Sequence, residues 1–515
     1  MIESLSSPVL ISILFSSLTA LVIGFYNLVL KHHLNYIRKM RQLPCIEPRR
    51  FLVGNLYEFW VHREKTTEYI KELFREVKRK GDFCILWLSY YPIVFVASWR
   101  YNSKILGNKK FLDRGWPAKK ITNEFSGLVS LANAEWKAHR NLVSPSYAPN
   151  VLENFIPTLL EHIQLMGDDF EASNEKFIEP LPILERHIIS IVLETSMGLK
   201  DEVNDEDRFE LKNSLKHFLN SQFDRILRIY TWNELTNKLY TWFNGIDDGT
   251  AGLRKYAMQI IEARLNKRLA RNREQNGDFV PTKERNRAFL DNLLETFMDQ
   301  KSHNGQKFDF ESILNELVNI MATSYETIIN TTMWFLHNMA CNPLIQEQLY
   351  EELLDFNEKN ECVTISQINE LTFLDQCVKE NLRIHPPVAF MMRKTEEEIE
   401  IGGYSIPKDT LTATSIYFIH HDEEIFSNPE KFDPSRFEPE NLDKIPPGGY
   451  IPFGDGPRRC IGEKLALLEA KVIFSNIIKR FRVVPFEPEK VQVKLDLLTR
   501  SEQPLKFSFI RRDKN

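Results

Sequence analysis

The stretch FGDGPRRCIG, residues 453–462, decides how the rest of this chain is read. A single cysteine, Cys460, stands there among three glycines, a proline and two arginines. The following residues, IGEKLALLEAKVIFSNIIKRF, place Leu465, Leu468, Val472, Ile473 and Ile477 at the spacing of an amphipathic helix. Cys460 therefore falls at or just before a helix N-terminus, where free N–H groups and the helix dipole favour a thiolate. A thiolate is a strong, soft metal ligand. Gly454, Gly456 and Gly462 let the backbone turn sharply and come close to a flat object. Phe453 can shield the sulfur, and Arg458 can pair with a carboxylate. A zinc site would need three further ligands close by, and the stretch offers none. A flat iron cofactor with carboxylates is heme, and ligation by cysteine favours O–O cleavage.

The rest of the chain must supply a body for such a cofactor. It has 515 residues, 43 % of them hydrophobic and 11 % aromatic, enough to bury a large core. A net charge of −5 gives no reason to expect a nucleic-acid partner. The six cysteines, Cys45, Cys84, Cys341, Cys362, Cys377 and Cys460, form no CxxC pair and no dense framework, which fits a reducing compartment. Helical spacing runs through residues 153–169, 185–199, 251–272 and 310–339, while strand-like runs occupy 84–98 and flank Gly402–Gly403. No repeat and no second-domain boundary after residue 50 is evident.

The N-terminus predicts a membrane span. From Ser4 to Leu30 there is no Asp, Glu, Lys or Arg. The helix expected over residues 8–30 would be roughly 34 Å long, sufficient for a bilayer core. Lys31, Arg38, Lys39, Arg41, Arg49 and Arg50 follow it against the single acid Glu47, which places the bulk of the protein on the cytosolic side. Residues 1–31 thus read as an anchor, 32–50 as a basic, proline-containing linker, and 51–515 as the catalytic domain.

Further motifs share the order and spacing of one family. Phe453-x-x-Gly456-x-Arg458-x-Cys460-x-Gly462 resembles the heme loop of the cytochrome P450 family at every defining position. Glu380 and Arg383, on one helix face, resemble its ExxR pair, and Arg436 in KFDPSRF resembles the arginine of a third motif. Trp136-Lys-Ala-His-Arg140 is similar to the WxxxR helix, and Arg393 falls where the family binds a heme propionate. Glu326-Thr327 matches the acid–alcohol pair of the oxygen-handling helix, although Thr323 and Ser324 replace the usual small residue and glycine. LETSMGLK (193–200), FLDNLL (289–294) and residues 450–471 lean toward the family 4 fatty-acid ω-hydroxylase branch.

The resemblance implies a mainly α cytochrome P450 fold, a large helical domain with small β-sheets, preceded by one transmembrane helix. It implies heme b with Cys460 as the axial ligand to iron, not covalently attached, since Thr323 stands where some family 4 members carry an esterified glutamate. It assigns Trp136, Arg140, Arg393 and Arg458 to the propionates. Glu380, Arg383 and Arg436 become a buried network beneath the heme loop. Glu326 and Thr327 become the proton-delivery pair, for which a threonine hydroxyl bonded one turn back is chemically suited. Ile320, Thr323, Val388, Ala389, Phe390 and Met391 become the substrate wall. The implied partners are O2, a hydrophobic substrate, the bilayer of the endoplasmic reticulum, an NADPH–cytochrome P450 reductase and cytochrome b5. The implied reaction is insertion of one oxygen atom into that substrate, with fatty-acid ω-hydroxylation as the first expectation. Steroid, terpenoid or xenobiotic oxidation, a reductase-independent isomerase or dehydratase, and a non-enzymatic heme carrier or sensor stand as alternatives.

Overall fold

The computed structural model describes residues 31–47, 53–62, 65–89, 91–122, 124–200, 203–274, 288–298, 308–359, 364–488, 491–496 and 498–512. The expected membrane span over 8–30 lies outside these residues. Among the described residues no helix is long and apolar enough to cross a membrane.

The described body is mainly helical, with four small sheets. The helices that frame its interior are α1 (Trp116–Thr122), α2 (Asn133–Val143), α3 (Ile156–Glu171), α4 (Leu181–Met197), α5 (Asp205–Leu227), α6 (Glu234–Phe243), α7 (Thr250–Glu274), α8 (Phe310–Cys341), α9 (Thr372–Ile384) and α10 (Glu463–Arg480). The helical stretches expected from spacing correspond to α3, α4, α7 and α8. Helix α8 is capped by Asp309, whose side chain accepts from Ser312 N, and most of its length is buried. It crosses the interior and packs against α4, α7, α9 and α10. A core of aliphatic and aromatic residues from these helices, including Leu193, Leu317, Phe335 and Phe474, fills the space between them.

The main sheet has the order β1-β2-β6-β3, from β1 (Phe83–Leu88), β2 (Tyr91–Val96), β3 (Phe390–Lys394) and β6 (Leu411–Ser415). The hairpin of β4 (Ile399–Ile401) and β5 (Tyr404–Ile406) turns on Gly402 and Gly403, at φ +57° and +81°. Strand β7 (Phe481–Pro485) pairs with β10 (Phe507–Arg511), and β8 (Val493–Leu495) with β9 (Thr499–Ser501). Part of the stretch read as a linker belongs to this body. Residues Lys31–Met40 are helical, Met40, Leu43 and Ile46 are buried, and Ile85 N donates to Pro44 O at 2.8 Å.

Candidate active site

The loop before α10 is shaped by local chemistry. Asp455 Oδ1 accepts from Gly456 N at 2.7 Å, opening a single 3-10 turn over Gly456–Arg458. Gly456 sits at φ +68°, and a Cβ there would lie 2.2 Å from Leu106 O, so both the turn and the packing demand glycine. Cys460 N then donates to Phe453 O at 2.9 Å, which closes the loop on itself. Gly462 is different. Its φ is −85°, and an added Cβ would meet nothing nearer than Tyr147 at 3.7 Å. The protein itself does not require glycine there, and the open side of Gly462 lines the same cavity as Cys460.

That cavity is about 450 Å³. Cys460 is accessible within it, beneath Thr323, Ser324, Thr327 and Thr331 of α8 and beside Trp136 and Arg140 of α2. Burial by the surrounding protein pushes the Cys460 thiol up, and the Gly462 N–H, Arg140 and Arg114 pull it down. The Gly462 N–H contribution is the helix-terminus effect expected from sequence, and burial outweighs it in the protein alone.

Five arginines line the cavity: Arg459, paired with Glu463 at 2.5 Å, and four others. Arg458 is 2 % exposed, and its Nη1 and Nη2 donate to Leu131 O and Val129 O at 2.9 and 3.1 Å. Its guanidinium lies 4.7 Å from the centre of the Trp136 ring, and its Nε is buried without a partner. Arg393 is fully buried on β3, with Nη1 bonded to Met392 O at 2.8 Å and both Nε and Nη2 unpartnered. Arg140 Nη1 donates to Arg459 O at 3.0 Å. The fourth, Arg114, lies in FLDRGWP, where no periodicity or motif singled it out. Burial, then the mutual repulsion of these cations, pushes Arg458 down to about 7 and Arg393 to about 9, and Asp113 and Asp455 oppose this only in part. Buried donors without acceptors and cations without anions define a site for a group carrying carboxylates. Heme propionates meet that need, and the accessible Cys460 sulfur meets the need of its iron.

The structural trio is brought together. Arg383 Nε and Nη2 bond Glu380 at 2.7 and 2.8 Å, with both side chains fully buried. Arg436 Nε lies 3.3 Å from Glu380 Oε1, which also accepts from Asp433 N at 2.9 Å. On α8, Thr327 Oγ1 donates to Thr323 O at 2.7 Å, the backward bond its type predicts.

One placement corrects the reading from sequence, and a second adds to it. Ala389, just before β3, is fully buried in a cluster with Ile70, Tyr417 and Leu495 and does not line the cavity; its carbonyl accepts from Ile416 N at 2.8 Å. Val388, Phe390, Met391, Ile320 and Thr323 do line it. Glu326 also stays out of the lining, because its carboxylate turns to Arg500, with Oε1 3.1 Å from Nη2. Burial raises the Glu326 carboxyl and Arg500 opposes the rise.

A cysteine open to an interior cavity, under one long helix and among anion-seeking arginines, is the arrangement of a heme-thiolate enzyme. Residues 44–509 match the family model for cytochrome P450, and the chain belongs to that family of heme-thiolate monooxygenases. It is 28 % identical over 507 residues to cytochrome P450 4c21 of Blattella germanica, covering 96 % of this chain and 98 % of that one. It is 28 % identical over 467 residues to cytochrome P450 4V2 of Rattus norvegicus, covering 88 % and 87 %. With cytochrome P450 4d2 of Drosophila melanogaster the identity is 27 % over 489 residues, covering 91 % and 94 %. These relatives are family 4 members. The family's cofactor is heme with a cysteine thiolate as axial ligand, and its reactions take O2, a hydrophobic substrate and a redox partner.

Proposed function

We propose that this protein is a membrane-bound monooxygenase of lipid-like substrates, with hydroxylation of a fatty-acyl chain as its reaction. The observation that carries the reading is the apolar lining of the cavity that Cys460 opens into. Ile121, Leu219, Ile320, Val388, Phe390 and Leu498 give it an apolar surface that holds a hydrocarbon chain and excludes bulk water. Heme held non-covalently at Cys460 would supply O2 binding and activation. Arg114, Arg140, Arg393 and Arg458 would hold its carboxylates, with the Trp136 ring against the Arg458 guanidinium. Thr327 commits its own hydrogen to Thr323 O, so its oxygen presents lone pairs to the cavity and orders a water by accepting from it. The likeness to family 4 members supports the acyl-chain reading.

Two features support the membrane. One is the apolar segment 8–30. The other is α6, where Leu235, Leu239, Trp242 and Phe243 repeat at helical spacing and are 54 to 83 % exposed. Such a face costs free energy in water and gains it in a bilayer interface. A cytosolic domain on the endoplasmic reticulum would then receive electrons from NADPH–cytochrome P450 reductase, with cytochrome b5 as a second donor.

The direct test supplies the membrane-bound protein with that reductase, NADPH, ¹⁸O2 and a mixture of fatty acids, steroids and terpenoids. Chain-end hydroxy fatty acids carrying one labelled oxygen are the expected products. Oxygenation confined to the steroids or terpenoids would overturn the acyl-chain reading, and NADPH-independent rearrangement of any of them would overturn the monooxygenase reading. Thr327→Ala is expected to retain heme but release several-fold more hydrogen peroxide per NADPH oxidised, because the ordered water loses its acceptor. Unchanged coupling would remove Thr327 from the relay.

A further inference from the structure

We propose that Arg500 is a positioning residue that ties Glu326 to the hairpin touching the substrate, so that filling of the cavity and proton handling beside it are coupled; this rests on the monooxygenase reading above.

Arg500 stands on β9 behind three walls of the cavity at once. Its Nη2 lies 3.1 Å from Glu326 Oε1 on α8, and its Nη1 donates to Asn220 Oδ1 on α5 at 3.0 Å. Its Nε is buried without a partner. Each contact adjoins a lining residue. Glu326 precedes Thr327, Asn220 follows Leu219, and Arg500 lies two residues beyond Leu498, with Asp496 also in the lining. The β8–β9 hairpin that carries these last residues is itself moored. Thr499 N donates to Pro387 O at 2.9 Å, Trp334 Nε1 to Thr499 O at 3.0 Å, and Leu495 N to Thr67 Oγ1 at 2.9 Å. A substrate that presses on the hairpin tip or on Leu219 therefore presses on Arg500.

The electrostatics make that contact consequential. The Glu326 side chain is only 16 % exposed, so a charge there depends on its partner. Burial and Glu185 on α4 push its carboxyl up; Arg500, the Asn330 side-chain bond and Lys216 on α5 pull it down. Glu185 is itself held by Lys212 and Lys216 at 3.3 and 3.5 Å. Tyr325 beside it is buried with its hydroxyl unpartnered and supplies no charge. Among the described residues, Arg500 is the cation in ion-pair contact with Glu326, and it stands on the hairpin that lines the cavity. While the pair holds, Glu326 is turned from the cavity and Arg500 favours its ionised form. When it loosens, the carboxyl either takes up a proton or swings toward Thr327, and both bring a proton-carrying group into reach.

The experiment compares wild type, Arg500→Gln, Arg500→Lys and Glu326→Gln as full-length, heme-loaded protein with lauric acid as the probe. Two readouts are taken. One is the pH profile of hydrogen peroxide released per NADPH, with and without the probe. The other is backbone hydrogen exchange over residues 493–501 without reductase, which requires no turnover. Arg500→Gln is expected to shift the profile to higher pH, since a pull that lowers the carboxyl pKa is gone. It should also erase most of the difference made by the probe. Arg500→Lys should restore the profile, because charge is kept. Exchange over the hairpin should rise in Arg500→Gln and in Glu326→Gln alike, since each removes the same tie. A wild-type pH profile and wild-type exchange in Arg500→Gln would overturn the proposal. If in addition Glu326→Gln leaves coupling unchanged at every pH, the relay reading of Glu326 falls as well. If Glu326→Gln disturbs coupling while Arg500→Gln does not, only the role of Arg500 falls. Should Arg500→Gln fail to load heme, Asn220→Ala carries the test. It cuts the other tether of Arg500, is expected to raise hairpin exchange and weaken the probe's effect, and overturns the proposal if it does neither.

Discussion

Cys460→Ser is expected to abolish the thiolate-type Soret band of the reduced, CO-bound protein and to lower oxygenase turnover by more than about a hundredfold, beyond what loss of a supporting group around a metal costs. Serine fills almost the same space, so the fold of the loop is not at stake. The loop is set by Gly456 at φ +68°, by the Asp455 cap on Gly456 N, and by the backbone bond from Cys460 N to Phe453 O. None of these uses the sulfur. What changes is the donor. A serine hydroxyl stays protonated at neutral pH and is a hard, weak ligand, whereas a thiolate is soft and pushes electron density toward the iron. The four arginines still offer their donors to the carboxylates, so heme retention with an altered spectrum is the expected signature. A CO-bound Soret band identical to that of the wild type would refute Cys460 as the ligand.

What could be read from sequence divides along the range of the interactions. The heme loop was legible because its determinants are local: positive-φ glycines, one cap and one cysteine lie within ten residues. Helices α3, α4, α7 and α8 were legible because burial imposes a period on them. Helix α5 went unread, because charged residues interrupt its apolar stripe, with Asp205, Glu206 and Asp207 in its first turn. Arg114 reaches the cavity only through tertiary placement, and a lone arginine in a loop carries no spacing to betray it. Ala389 was misplaced because its burial against Ile70, Tyr417 and Leu495 is set by tertiary packing that the sequence around it does not announce. Glu326 shows the limit most clearly. Its pairing with Thr327 is adjacent in sequence, but its partner in space is Arg500, at the far end of the chain.

The second large effect concerns Arg383. An i, i+3 Glu–Arg pair on a helix surface contributes little, and Arg254–Glu311, at 2.6 Å with side chains 39 and 47 % exposed, illustrates a surface pair worth about 0–1 kcal/mol. Glu380 and Arg383 are both at 0 % exposure. Arg383→Ala would leave the Glu380 carboxylate buried with only the peripheral Arg436 near it, and would strip donors from His420 O and Pro429 O, now bonded at 2.8 and 2.7 Å. Breaking such a buried pair costs about 3–5 kcal/mol, against a typical total margin of about 5–15 kcal/mol. The loss also has a path to the heme loop. His420 Nε2 accepts from Ile451 N at 2.9 Å, so the ring's proton sits on Nδ1, which faces Arg383 O at 3.2 Å. Burial and the nearby Arg383 charge hold His420 well below its usual range, which keeps the ring neutral and this tautomer intact. Arg383 thus holds the His420 ring through its backbone O and the His420 carbonyl through Nη1; Arg383→Ala frees the carbonyl side, and His420 fixes the backbone two residues before Phe453. Arg383→Ala is therefore expected to lower the urea midpoint sharply and to reduce bound heme per protein, while Arg254→Ala leaves both nearly unchanged. If the two variants unfold at the same urea concentration with equal heme content, the buried network is not the support of the cysteine loop, and the loop stands on its own glycines and cap.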